Sequence, residues 1–434
     1  FFFLFVLNGK TQEVEILTLE DCLRIGIDNN LSLEGKRKEI QRSKYGVSEN
    51  RSKLLPQINA IAGYSNNFDP PVSVTDGSSY GVPYNITQTL QHSANAGLEM
   101  QMPLFNQTLY TSMSIAKVME EISRLSYGKA REDVILQISK MYYLGQVTAE
   151  QIMLIKANIT RLEELRDITQ AFFDNGMSME VDLKRVNINL ENLKVQYDNA
   201  QAMMKQQLNM LKYIMDYPAE KEIALTPVNT DSITTVALTG LSENIYELQL
   251  SQSQVQLAER QKKIITNGYI PSLSLTGSWR YAAYTDKGYH WFHSGPSNQW
   301  FRSYGVGLTL RIPIFDGLDK TYKIKKAMID IKNKRLAWED ARKNLQTQYL
   351  NAVNDLMNNQ RNFKKQKDNY LLAEDVYAVT SDRYREGIAS MTEVLQDEMQ
   401  MSEAQNNYIS AHYNYRVTNL MLLKLTGQIE SLVK

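Results

Sequence analysis

Two periods divide this chain. Over four short stretches, apolar and polar residues alternate one by one. Ala96, Leu98, Met100, Met102 and Leu104 alternate with Asn95, Gly97, Glu99, Gln101 and Pro103. Tyr304, Val306, Leu308, Leu310, Ile312 and Ile314 alternate with Ser303, Gly305, Gly307, Thr309, Arg311 and Pro313. Ile58, Ala60, Ala62 and Tyr64 do so with Gln57, Asn59, Ile61 and Gly63, and Leu273, Leu275, Gly277, Trp279 and Tyr281 with Ser272, Ser274, Thr276, Ser278 and Arg280. A period of two sets successive side chains on opposite faces of a strand. The pattern predicts strands over 54–68, 94–105, 270–284 and 301–315. One apolar face and one small or polar face, kept up for about ten residues, suits a transmembrane strand beside a wet lumen. A soluble sandwich gives the same alternation. Two turn-rich stretches, 69–93 and 286–299, read as loops joining the strand pairs.

Elsewhere the period is seven. Residues 106–173 and 317–384 lack proline and read as helices of about 68 residues each, roughly 100 Å long at ~1.5 Å per residue. Helices of that length need a partner along their whole course. Leu183, Leu190, Tyr197, Met204 and Leu211 recur by sevens, with Val186, Leu193, Ala200, Gln207 and Ile214 as companions. Val394, Met401, Tyr408, Tyr415 and Leu422 form a second seam with Asp397, Ala404, Ala411, Thr418 and Leu425, and Leu356, Phe363, Tyr370, Tyr377 and Tyr384 a third. These are the a and d positions of coiled-coil packing, weaker than a leucine zipper. Gly176 and Gly387 interrupt the helical pattern just before a fresh heptad start, as the tip of a helical hairpin does.

The chain is also written twice. Met100 to Asn106 returns as Leu310 to Asp316, and Phe172 to Gly176 as Arg383 to Gly387. Pro103 and Pro313 lie 210 residues apart, Gly176 and Gly387 211 apart. This layout gives a first repeat over 17–216, a linker over 217–240, a second repeat over 241–427 and a tail over 428–434. Residues 1–16 read as a secretory-signal remnant with an extension, because the apolar run over residues 1–7 is too short to span a bilayer. Four strands cannot close a membrane barrel, and an open edge in lipid leaves unpaired backbone groups. The strands must therefore be shared between copies: two copies give eight strands and a barrel largely filled by side chains, three give twelve and leave room for a lumen.

Composition narrows the function. The 434 residues carry 48 basic and 48 acidic side chains, so no global charge favours nucleic acid. A mean hydropathy of −0.39 excludes a bundle of transmembrane helices. Cys22 is the sole cysteine, which leaves no internal disulfide or thiolate cluster, and it reads as a packed helix residue. His290-Trp291-Phe292-His293 has a chelating spacing but lies among Gly, Ser and Pro, and reads as a surface loop. No catalytic constellation and no phosphate loop is present, so neither an enzyme nor a cofactor is expected.

The ordered segments resemble the TolC family of outer-membrane exit ducts. Leu17 to Leu23 followed by Asn29-Asn30 is similar to that family's first helix. Leu54-Leu55-Pro56 and Tyr269-Ile270-Pro271 resemble its approaches to the barrel, and Pro103-Leu104-Phe105 and Pro313-Ile314-Phe315-Asp316-Gly317 its exits. The resemblance implies an α+β membrane protein: a homotrimer with four strands per chain in a shared 12-strand β-barrel, continued by a long coiled-coil tunnel. It implies outer-membrane lipid around the barrel, and a periplasmic adaptor and inner-membrane pump at the tunnel tip. The function implied is the exit duct of a tripartite efflux or type I secretion system, gated at that tip. A periplasmic coiled-coil adaptor or scaffold without a barrel is the alternative, although an adaptor usually carries one hairpin and this chain has two.

Residue by residue, the resemblance places the tips near 174–182 and 385–393, with Gly176, Met177, Ser178, Gly387, Ile388 and Ala389 as the adaptor-docking positions. It implies a latch between Asp182 and Tyr384. A second latch arginine is replaced by Ala389. Of two acidic constriction rings, Glu393 keeps the charge and Gln396 does not. Asp397 would supply it only after a helix rotation of ~100°. The bland role for Asp182 and Glu393 is acidic charge near a helix N-terminus.

Overall fold

The computed structural model describes residues 14–70, 72–76, 81, 84–88, 90–227, 240–285 and 300–433. The apolar N-terminal run, the His290–His293 stretch and half of the segment between the repeats lie outside these residues. The described chain divides into two compact units, and α2 (Leu31–Ser52), α3 (Gln107–Asp174), α5 (Tyr246–Asn267) and α6 (Asp319–Arg385) each contribute to both.

One unit comprises residues 41–122 and 253–335. Its centre is an antiparallel sheet in the order β2 (Gln57–Asn66), β5 (His92–Phe105), β7 (Ser272–Thr285), β8 (Trp300–Arg311). All four expected strands are present, but β2 begins at Gln57 rather than 54 and β8 ends at Arg311 rather than 315. Paired residues share a face, so the register tests the alternation directly: Ile58 pairs with Met100, Met100 with Gly277 and Gly277 with Val306. One face thus carries Leu98, Trp279, Tyr304, Val306, Leu308 and Leu310, and all six side chains are exposed. The opposite face carries Asn59, Gln101, Thr276, Ser278, Ser303 and Thr309. β2 and β8 are the two edges, and neither has an outer neighbour among the described residues. Where a loop was expected over 69–93, a separate hairpin pairs β3 (Val72–Asp76) with β4 (Tyr84–Gln88). Val72, Val74, Tyr84 and Ile86 give that hairpin its β-propensity, which the surrounding Gly, Pro and Ser hide in the sequence.

The other unit comprises residues 1–40, 123–252 and 336–434. Here α3 and α4 (Glu180–Met215) form one helical hairpin, and α6 and α7 (Met391–Leu425) the other. The heptad seams point inward: Val186, Leu190, Leu193, Ala200, Gln207, Leu211 and Ile214 of α4 are buried. So are Val394, Met401, Tyr408, Tyr415 and Leu422 of α7. Toward the hairpin ends, Leu162 and Leu165 of α3 join this core with Tyr377 and Tyr384 of α6. A second core gathers Cys22, Leu23 and Ile27 of α1 (Leu19–Asn29) with Ile135, Ile138 and Tyr142 of α3 and Met215 of α4. Cys22 is fully enclosed there, and burial pushes its thiol up to about 12. β1 (Glu15–Leu17) pairs in parallel with β6 (Ile223–Leu225), so residues 15–16, taken above as part of the leading extension, belong to the fold.

Candidate functional site at the helical tips

Both hairpins turn by the same backbone device. Gly176 has φ +73° and Gly387 φ +76°, the left-handed region that favours glycine. The Gly176 amide donates to Phe173 at 2.9 Å and the Met177 amide to Phe172 at 2.8 Å. In the second tip the Gly387 amide donates to Tyr384 at 2.9 Å and the Ile388 amide to Arg383 at 2.8 Å. These bonds satisfy carbonyls that the helix end leaves free. Beyond the glycines, Met177, Met179 and Ile388 are exposed by 67, 67 and 62 %. Ser178 and Ala389 are half-buried. A cleft of about 630 Å³ opens at the tips, lined by Phe172, Met177, Asp182, Arg185, Tyr384 and Thr392 among others.

Asp182 and Glu393 are equivalent, third in their helices, yet the structure uses them differently. At the second tip Ser390 is the N-cap: its hydroxyl accepts from the Glu393 amide, while its own amide donates back to Glu393 Oε2 at 2.7 Å. The Ser390 amide and hydroxyl hold the Glu393 carboxyl below its usual range. At the first tip Met179 is the N-cap and offers no side-chain oxygen. Asp182 is left to pair with Arg185 at 3.2 Å, and the Arg185 guanidinium also donates to Thr392 Oγ1 at 3.4 Å. A bridge from the first hairpin to the second therefore runs through Arg185.

Asp182 and Tyr384 line one cleft but do not bond each other within the chain. The buried Tyr384 hydroxyl donates instead to Thr169 Oγ1 at 3.3 Å, with its ring tilted against Phe172. Thr169 lies on α3, so this bond also joins the hairpins. Arg385 adds a third link to Glu164 at 3.4 Å. Gln396 is exposed and Asp397 half-buried on the first turns of α7. The Ser390–Glu393 spacing is a readable capping signature. Thr169, Arg185 and Thr392 carry no such local signal.

Further along the same unit, polar groups are buried between the hairpins. Tyr408 donates to Glu150 at 2.9 Å, and Arg416 donates to Nε2 of the fully buried His412 at 3.0 Å. Asn158 donates to Gln405 at 2.7 Å. Burial raises the carboxyl of Glu398, and it pushes that of Glu132 up to about 7, aided by Glu430 and Asp133 and opposed by Lys424. No described cluster of His, Cys, Asp and Glu has the makings of a metal centre.

The described residues thus combine an antiparallel sheet with two unpaired edges and one apolar face and, in the other unit, twinned helical hairpins with matching tips. The chain belongs to the outer membrane efflux protein family, whose model matches residues 25–215 and 237–428. It is 21% identical over 399 residues to outer membrane protein TolC of Vibrio cholerae, covering 88% of this chain and 84% of that one. It is 23% identical over 433 residues to the probable efflux pump outer membrane protein TtgC of Pseudomonas putida, covering 94% and 82%. Among solved structures, CusC superposes with a TM-score of 0.79 at 16% identity over 94% of this chain and 91% of that one. VceC of Vibrio cholerae does so with a TM-score of 0.75 at 14% identity, over 94% and 96%. The chain is thus an outer-membrane efflux channel that extends into the periplasm, and members of its family are channels rather than enzymes.

Proposed function

We propose that three copies close one 12-strand barrel, and that the helical hairpins of the same three copies form the periplasmic conduit for an inner-membrane pump. The carrying observation is the sheet itself: among the described residues β2 and β8 are unpaired edges of a sheet with one apolar face. Unpaired strand edges in lipid cost several kcal/mol per backbone group, so each β2 must find a β8 of another copy. Electron microscopy of the detergent-solubilised protein should show threefold particles with a central lumen. Monomers, or sheets without a barrel, would overturn the reading.

The tips serve as gate and docking end. Met177 and Ile388, beside Gly176, Ser178, Gly387 and Ala389, present the surface for a periplasmic adaptor. The Tyr384–Thr169 bond and the Arg185 bridge act as the closing contacts, in place of a direct Asp182–Tyr384 latch. Glu393, with Gln396 and Asp397 behind it, starts the helix that lines the constriction. Tyr384→Phe combined with Arg185→Ala should raise single-channel conductance in planar bilayers. Unchanged conductance would remove these contacts from the gate.

A further inference from the structure

The polar face of the sheet carries one charge pair that the tip mechanism does not use. Glu99 is the only carboxylate in β2, β5, β7 and β8. Arg280 lies one pair further along, on the neighbouring strand: Glu99 pairs with Ser278, and Gly97 with Arg280. The guanidinium therefore reaches diagonally, and its Nη2 donates to Glu99 Oε1 at 2.6 Å. Apart from Arg311 at the last position of β8, no other charged side chain stands on this face. Gly97 has a structural reason for being there. A Cβ at this position would collide with the Trp279 carbonyl and come within 2.8 Å of Arg280 Cα. The bare backbone lets the two strands approach just where the arginine begins its reach. Around the pair, Asn59, Gln101, Thr276, Ser278 and two glycines of β8 line an open polar saddle of about 520 Å³.

We infer that Glu99 and Arg280 form a self-neutralised charge station on the lumen wall of the barrel, and that this pair sets the duct's indifference there to the sign of cargo charge. The inference rests on the shared-barrel reading, in which the polar face lines the lumen. A ring of like charges in a pore selects by sign. Three copies of a closed Glu–Arg pair cancel at distances beyond the pair itself, so cations, anions and zwitterions pass this level alike. Loss of either partner uncovers a ring of three like charges.

The test uses the full-length duct in planar bilayers under a salt gradient. Arg280→Gln should move the reversal potential toward cation preference, Glu99→Gln toward anion preference, and the double variant should return to the wild-type value. A second readout is local and independent of where the pore's resistance lies. A cysteine at Ser278→Cys, on the exposed polar face beside Glu99, is labelled with positively and negatively charged thiosulfonates; Cys22 is buried and does not compete. At ~0.1 M salt, Arg280→Gln should raise the ratio of cationic to anionic labelling rates about threefold, and Glu99→Gln should lower it by a similar factor. Channels that form normally, with both single variants unchanged in potential and labelling ratio, overturn the charge station alone. A chain that forms no channels, or whose Ser278→Cys is closed to water-borne reagents, overturns the lumen reading and the station with it.

Discussion

At the scale of single residues, one cap decides what an acid does. Asp182 and Glu393 hold equivalent places in the two repeats, but only Glu393 has a serine three residues before it. A capping oxygen draws the carboxylate back onto its own helix, whereas methionine leaves it free for Arg185. Met179→Ser should therefore strengthen the start of α4 by about 0.5–1 kcal/mol, seen as slower amide exchange over its first turn. It should also draw Asp182 away from Arg185. Exchange at that turn no slower than in the parent chain would count against this account. Glu132 gives a pH signature. Its folded carboxyl titrates near 7, above the ordinary 4.5, so the folded state holds its proton longer than the unfolded one. Stability from this group is fully present below about 4.5 and declines as pH rises through 7, by at most about 3 kcal/mol. Glu132→Gln should raise the thermal midpoint at pH 8 and leave it nearly unchanged at pH 4.5. A gain that is equal at both pH values would exclude the mechanism.

At the scale of elements, the periods of seven and two in the sequence translate directly into buried seams and sheet faces. The aromatic members of the α6 and α7 seams interleave: Tyr415, Phe363, Tyr408 and Tyr370 stack with centroids 5.7, 5.8 and 5.7 Å apart. Phe363 sits within this column and also against His412 at 4.9 Å. Phe363→Ala should cost about 2–4 kcal/mol, read as a lowered denaturation midpoint. A loss below ~1 kcal/mol would mean the column closes without it. Gly387→Ala, which forces a Cβ into the left-handed region, should cost about 1–2 kcal/mol and fray the second tip. Long-period elements were legible because every repeat of the pattern adds signal. The three-residue pair Glu15–Leu17 with Ile223–Leu225 was not legible, since strands so short carry no period and their pairing depends on contacts far apart in the chain. The pairing of Asp182 with Tyr384 came only from the family resemblance, and the sequence held no signal for the choice of Thr169 as the tyrosine's partner. That choice depends on side-chain geometry across two helices.

At the scale of the whole molecule, the proposed shared barrel makes one chain an incomplete object. Ile61 on β2 and Gly307 on β8 lie on the polar face, at opposite edges of one sheet. Cysteines at Ile61 and along β8 at Gly305 or Gly307 should cross-link between chains and yield a covalent ladder that stops at three copies of 49.9 kDa. A ladder running beyond three, or cross-links within one chain, would contradict the closed barrel. The same free edges govern how the duct is made. A solitary chain has no favourable place in a bilayer, because its rim of unpaired amides would have to enter lipid dry. If the proposed shared barrel holds, insertion follows or accompanies the meeting of copies, and its rate should climb steeply with the supply of newly exported chains. In the proposed assembly a chain below that supply stays a periplasmic passenger. Abundance itself then acts as the switch between passenger and pore.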